Sequence, residues 1–291
     1  PPQHLQNTRS LMGPRDQSDL HKSIWRLGKV LRDHGPKIFQ VETTINNNAF
    51  PDTFGFLNKR EWEWSAKDRG LYLATSKSLA RMPTRAKRKI FHSIEAPYET
   101  TSVQAGFTPS VHERTLEHVH AQHLVPVEGQ TDILTMGLPY ISPYNVNSIM
   151  NPILVMCTGL GYFFNLYRGK PLVREGGVVI LTHPTTNEFH PVHHPSYIDF
   201  FEEVLADTRD PHVMSQKWEQ QNAEEDWYRH LNRTSNAYHG VHRFYMWYWG
   251  RHGMKHVGKV SIVGGDAPTV RMIGFTPATA MNDALESASD T

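Results

Sequence analysis

Between Gly176 and His183 the chain reads "GGVVILTH", an unbroken apolar run with a glycine pair before it and a polar loop after it. A strand with one wet face alternates apolar and polar side chains. A run without alternation belongs to a strand buried on both faces. That happens where parallel strands are joined by long crossovers that lay helices on the sheet. The segment therefore predicts an α/β fold, with layered helices around a mostly parallel sheet.

The rest of the sequence supplies partners for this strand. "TDILTMG" (Thr131–Gly137) and "KVSIVGG" (Lys259–Gly265) are short apolar strands, and "KIFQVETTIN" (Lys37–Asn46) is rich in β-branched residues. Leu20, Ile24, Leu27 and Leu31 fall on one face of a helix over Asp16–Gly35, with Ser18 able to cap it and Gly35 to stop it. Helices are also expected over Arg81–Ile94, Val111–Leu124 and Ser196–Leu205, in pieces over Pro211–Gly258, and after Thr279. A helix over Pro143–Met156 would begin at one proline and meet a second, Pro152. The expected division is an inter-domain helix region over residues 1–36 and an α/β domain over 37–291.

Composition narrows the partners. The 291 residues are 38% hydrophobic, enough for one large domain or two smaller ones. Lysine and arginine exceed the acids by 30 − 29 = +1, which advertises neither nucleic acid nor an anionic membrane surface as a partner. No apolar run reaches the length that spans a bilayer, and no signal peptide is visible. The one cysteine, Cys157, excludes an intrachain disulfide and suits a reducing, cytoplasmic compartment.

In a parallel sheet, ligands gather at the loops leaving the C-terminal ends of the strands. Three such loops are expected to line one cleft: Gly137–Asn145, Thr182–Tyr197 and Gly264–Pro268. The second carries His183, His190, His193 and His194. These could be metal ligands, the acid/base wall of a cleft, or a polar loop; the HxxHH spacing lacks the rigid helical geometry that makes HExxH specific. His118, His120 and His123 read as a solvated helix face, and the basic run from Arg81 to Lys89 likewise, since no aromatic platform is interleaved with it. "TGLGYFFN" (Thr158–Asn165) lacks the dinucleotide-loop spacing and follows a helical segment.

Taken in order, several motifs resemble the C-terminal part of the nickel-pincer-nucleotide lactate racemase family. They are "KIFQVETTIN", "AGF…HERTLEH" (Ala105–His118), "TDILTMGLPYISPYNVNSI", "LVREGGVVILTHP" and the closing "KVSIVGGDAPTVRMIGFTPATAMNDALESA". The resemblance covers most of the chain from about Ser18 onward. It implies a two-domain racemase or epimerase of small 2-hydroxy acids. In that family a nickel pyridinium dithio-acid mononucleotide, tethered to a lysine, takes hydride from C2 and returns it to either face.

By the same resemblance Tyr144 and Asn145 fall on active-site positions that hydrogen-bond substrate or cofactor. Trp247 matches the family's active-site tryptophan, with Trp249 as the rival one register away, and His4 matches a nickel-ligating histidine. Ser148 stands where the family has a lysine for the substrate carboxylate, and a hydroxyl supplies no charge. His193 and His194 would shape the substrate pocket. The tethering lysine and the acid/base histidines belong to an N-terminal domain that nothing in these residues resembles, so that domain is the expected partner. Two other readings stay open: a non-catalytic α/β binding or assembly domain, and a metallohydrolase with ligands from the His183–His194 loop.

Overall fold

The structure is a computed structural model and describes residues 19–46, 48–142, 150–167 and 170–289. The chain separates into two compact units, Pro1–Val30 with Val127–Thr291, and Leu31–Pro126. Helix α1 (Asp19–His34) runs across that boundary, with Ile24, Leu27 and Leu31 of its expected apolar face each more than half exposed.

In the larger unit, β3 (Thr131–Gly137), β4 (Val173–Thr182), β5 (Lys259–Val263) and β6 (Thr276–Ala278) form one sheet in that order, every neighbouring pair parallel. The apolar run sits second in it and is covered on both sides, as its lack of alternation predicts. Val179 and Leu181 belong to the main core, with Ile153, Met156, Leu160, Phe244 and Trp247. Val178 and Ile180 face the other way and pack with Ala284 and Ala288 of the closing helix α11 (Met281–Ser289).

The crossover from β3 to β4 contains α5, which starts at Pro152–Met156 and continues through widened and then tightened turns to Asn165. Asn151 caps it, its side-chain oxygen accepting from the Leu154 N–H at 3.0 Å. The expected start at Pro143 lies outside the described residues, as do residues 144–149; the described helix begins at Pro152. "TGLGYFFN" is part of this helix and not a nucleotide loop.

The crossover from β4 to β5 holds α6 (Pro195–Asp199, continuing to Asp207), α7 (Pro211–Met214, continuing to Glu224), α8 (Asp226–Thr234) and α9 (His242–His256). Helices α5 and α9 meet backbone to backbone: a Cβ placed on Gly253 would lie 2.8 Å from the Leu160 carbonyl oxygen. At its last turn, the His256 Nε2 lies 2.8 Å from the Val173 carbonyl, at the start of β4. The first turn of α9 lies about 20 Å along the helix from there at 1.5 Å rise per residue. Between β5 and β6 lies α10 (Ala267–Met272), capped by Asp266.

In the smaller unit, β1 (Gln40–Ile45) pairs antiparallel with β2 (Thr100–Gly106), and α4 (Thr108–His123) packs on this ribbon through Val111 and Thr115. The ribbon is turned with its polar side inward. Thr44 is buried and bonded to Ser102 at 2.7 Å, and Glu42 meets His112 at 3.2 Å, while Val41 and Val103 stand exposed. Helices α2 (Ala66–Arg81) and α3 (Thr84–Ser93) lie between the strands in sequence, and a capping box of Ser65 and Asp68 starts α2. The described residues contain no helix long and apolar enough to cross a membrane.

Candidate functional site

Because β3, β4 and β5 run the same way, the loops that leave them emerge at one edge. The three expected loops do converge there, the first as far as Ser142. The Leu138 N–H bonds to the Thr182 carbonyl at 3.2 Å, and the His183 N–H to the Val263 carbonyl at 3.3 Å. The Asp266 N–H bonds to the Pro184 carbonyl at 3.0 Å. Gly265 presses the third loop onto the second; a Cβ there would meet Val270 at 2.7 Å, Ile262 at 3.0 Å and Thr185 at 3.4 Å.

His183 is the centre of this convergence. It is 4% exposed, and its ring stacks on Tyr140 of the first loop at 6.3 Å between centroids. The Thr185 backbone N–H donates to His183 Nδ1 at 2.9 Å, so Nδ1 is the acceptor and the ring proton sits on Nε2. The Pro139 carbonyl faces the ring as its backbone acceptor, off the line of a well-formed hydrogen bond. Burial pushes the His183 pKa down to about 4, which the Pro139 carbonyl only partly opposes, so the ring is neutral at physiological pH. Thr185 holds this arrangement at φ +40°, a left-handed conformation that is costly for a β-branched residue.

A second cluster lies further along the same loop. His193 stacks on His190 at 4.0 Å, nearly parallel, and its carbonyl accepts from the Tyr238 N–H at 3.0 Å. His194 is fully buried, edge-on to Tyr197 and stacked on Tyr238 at 5.5 Å. Burial, with His242, His193 and His190 nearby, pushes its pKa down to about 3. His242, at the first turn of α9, is pushed by burial to about 4 and meets the Tyr197 hydroxyl at 2.6 Å. Next to it, Arg243 is fully buried among Phe200, Tyr228 and Phe244, and donates to the Ser196 carbonyl and the Asn222 side chain. Asp199 is linked to this cage through the Tyr228 hydroxyl.

The structure treats the expected site residues unequally. Tyr144, Asn145, Ser148 and His4 lie outside the described residues. The flanking Ser142 and Met150 are both buried, and the Met150 N–H bonds to the Tyr140 carbonyl, beside His183. His193 and His194 belong to the aromatic cluster, with His194 enclosed in it. Trp247 is fully buried against Phe200, and its indole N–H donates to the Arg209 carbonyl at 3.2 Å. That carbonyl satisfies the indole from within the chain. The rival Trp249, 5.2 Å from Tyr162, keeps a buried indole N–H without a partner.

Among the described residues no group of three His, Cys, Asp or Glu side chains is placed to hold a metal ion. The local bonding explains why. Nδ1 of His183 is taken by Thr185, and Nδ1 of His190 accepts from the backbone of Val192 and His193 at 3.3 and 3.2 Å. The metallohydrolase reading of this loop, which needs convergent nitrogens, is thereby corrected. Thr185, Tyr140 and Arg243 were not among the residues singled out from the sequence. Strain at Thr185 and the burial of Arg243 inside "HRFYMWYWG" are tertiary facts with no mark in a single sequence.

No family model matches the chain, and no curated protein matches it. Seven solved chains do, among them a lactate racemase apoprotein from Thermoanaerobacterium thermosaccharolyticum. To that structure this chain is similar at 16% identity with a TM-score of 0.36, over 66% of its own length. The chain spans 38% of the length of that racemase.

Proposed function

We propose that this chain is the C-terminal part of a nickel-pincer-nucleotide-dependent racemase or epimerase homologue acting on a small 2-hydroxy acid, with its substrate side at the C-terminal edge of β3, β4 and β5. The ordered run of motifs supports the family. The convergence of three loops on His183 supports the location, because that edge is where parallel sheets present ligands. In this reading the tethering lysine and the acid/base histidines come from an N-terminal domain of the same protein, in the cytoplasm. The segment 1–36 joins the two domains.

His4, the one residue of this chain expected to meet the nickel, lies outside the described residues. No step is therefore derived through the cofactor. What remains for this chain is to bind and orient substrate through fixed hydrogen-bond donors and to keep water from the reacting carbon.

The test is to co-express the whole protein with cofactor-making enzymes, measure nickel and lysine adducts by mass spectrometry, and screen 2-hydroxy acids for loss of optical activity. Bound nickel, an adduct and racemisation of at least one acid are expected. A protein that carries none of the three under those conditions is not a racemase of this kind. Trp247 favours a second reading, a non-catalytic α/β binding domain, because its indole is sealed in the core. Saturable binding of a 2-hydroxy acid without racemisation would select it.

A further inference from the structure

The ribbon of β1 and β2 is built inside out. Successive residues of a strand take opposite faces, and in a half-covered ribbon the apolar set belongs on the covered side. Here α4 lies over the polar set, Gln40, Glu42 and Thr44 of β1 with Ser102 and Gln104 of β2. Cross-strand and strand-to-helix bonds fix that choice, Thr44 to Ser102 at 2.7 Å and Glu42 to His112 of α4 at 3.2 Å, so the register is not slipped by one residue. Val41, Thr43, Ile45, Val103 and Ala105 take the opposite face, and all are exposed. Val41 is 58% exposed and Val103 59%, and Phe39, one residue before β1, extends their row at 73%. Val41 pairs with Ala105 and Thr43 with Val103, so the apolar row is continuous across both strands.

We infer that this face docks a second copy of the chain, the two ribbons stacking face to face about a twofold axis. The face carries no charged side chain. It offers nothing to the phosphates of nucleic acid or of anionic lipid, and its own copy brings it no repulsion. Its six side chains present about 500 Å², so two copies cover about 1,000 Å², the lower bound of a specific interface. A two-stranded ribbon is also marginal alone, and a second sheet about 10 Å away supplies the layer it lacks.

Charges at the rim set the orientation. Lys37 is exposed two residues before Phe39. Glu99 is exposed at the other end of the ribbon, where its carbonyl accepts from the Asn46 N–H at 2.9 Å. With strand direction reversed across the twofold, Lys37 of each copy meets Glu99 of the other, which selects this stacking over the one with strands aligned. The inference stands on the smaller unit alone and does not depend on the proposed function.

Sedimentation velocity of the 291-residue chain from about 1 to 100 µM is the test. A monomer–dimer equilibrium is expected, with a dissociation constant of about 1–100 µM for an interface of this size. Val103→Lys buries a charge on each side of the twofold and should weaken the dimer at least about tenfold. Lys37→Glu, outside the strands, should weaken it about threefold to tenfold, and adding Glu99→Lys should restore it. Leu27→Lys, at an exposed apolar position of α1, should leave the dimer unchanged, as circular dichroism should leave each variant folded.

A chain that stays monomeric at about 100 µM overturns the inference. So does a dimer that survives Val103→Lys, or one that Leu27→Lys breaks, which would place the interface on α1. Failure of Glu99→Lys to rescue Lys37→Glu overturns the reversed orientation. Flotation with phosphatidylcholine vesicles containing phosphatidylserine should show no binding; binding that Val103→Lys abolishes would assign the face to a lipid surface instead.

Discussion

Acidification to about pH 4.5 should bring the larger unit close to unfolding, and the magnitude follows from three buried histidines. His183 and His242 are held down to about 4 and His194 to about 3, against an ordinary value of 6.5. Above pH 6.5 these rings are neutral in folded and unfolded chains alike, and they contribute no pH dependence. As pH falls from 6.5 toward 4 the unfolded chain takes up protons that the folded chain refuses. Stability is therefore lost on the acid side and fully present on the neutral side. At 1.36 kcal/mol per unit, the loss by pH 4.5 is about 2.6 kcal/mol for each ring and about 8 kcal/mol for the three. A domain of this size is stable by about 5–15 kcal/mol, so pH 4.5 should leave it close to its unfolding midpoint.

Urea unfolding followed by tryptophan fluorescence at pH 7.5, 6.0, 5.0 and 4.5 measures this. The midpoint should fall steadily across that range with little change in slope. Substituting His242 by Phe should remove about a third of the decline, whatever it does to stability at pH 7.5. A midpoint independent of pH between 7.5 and 4.5 would refute the reasoning, since it would mean that the buried rings are protonated at no cost.

Three further outcomes follow from packing. Gly253→Ala should destabilise by about 1–2 kcal/mol: the gain of about 1 kcal/mol in helix propensity is outweighed by a methyl driven against the Leu160 carbonyl, and calorimetry should show a lower Tm. Trp247→Phe should cost about 2–3 kcal/mol by leaving a cavity and an unpaired Arg209 carbonyl, with ligand affinity of the folded protein unchanged; a selective loss of affinity would instead place the indole at a ligand. Asn151→Ala should cost about 1 kcal/mol in denaturant unfolding through loss of the α5 cap, and no loss would mean that the cap is replaced by another group.

What the sequence by itself determined was the arrangement of strands. The unbroken run Val178–Leu181 required cover on both faces, and the chain provides it from different places, Ala284 and Ala288 on one side and Met156 and Leu160 on the other. The same logic located the ligand edge, because parallel direction alone puts the loops after Gly137, Thr182 and Val263 together. Local signals went astray where tertiary contact outweighs them. Pro152 reads as interrupting a helix, yet it opens one, capped by Asn151. β2 carries too weak an alternation to be read alone, and is a strand because β1 pairs with it.

The chemistry of individual side chains was decided only by the tertiary structure. Four histidines in one loop looked equivalent in the sequence, yet burial and neighbours give them different lives: His183 a neutral ring fixed by Thr185, His190 and His193 a stacked pair, His194 an enclosed ring. The tryptophan chosen from the motif, Trp247, is satisfied by a backbone carbonyl that is 38 positions away in sequence. Periodicity reports which face of an element is covered. Desolvation, tautomer and hydrogen-bond partner depend on atoms brought close from distant positions, and those distances exist only in the folded chain.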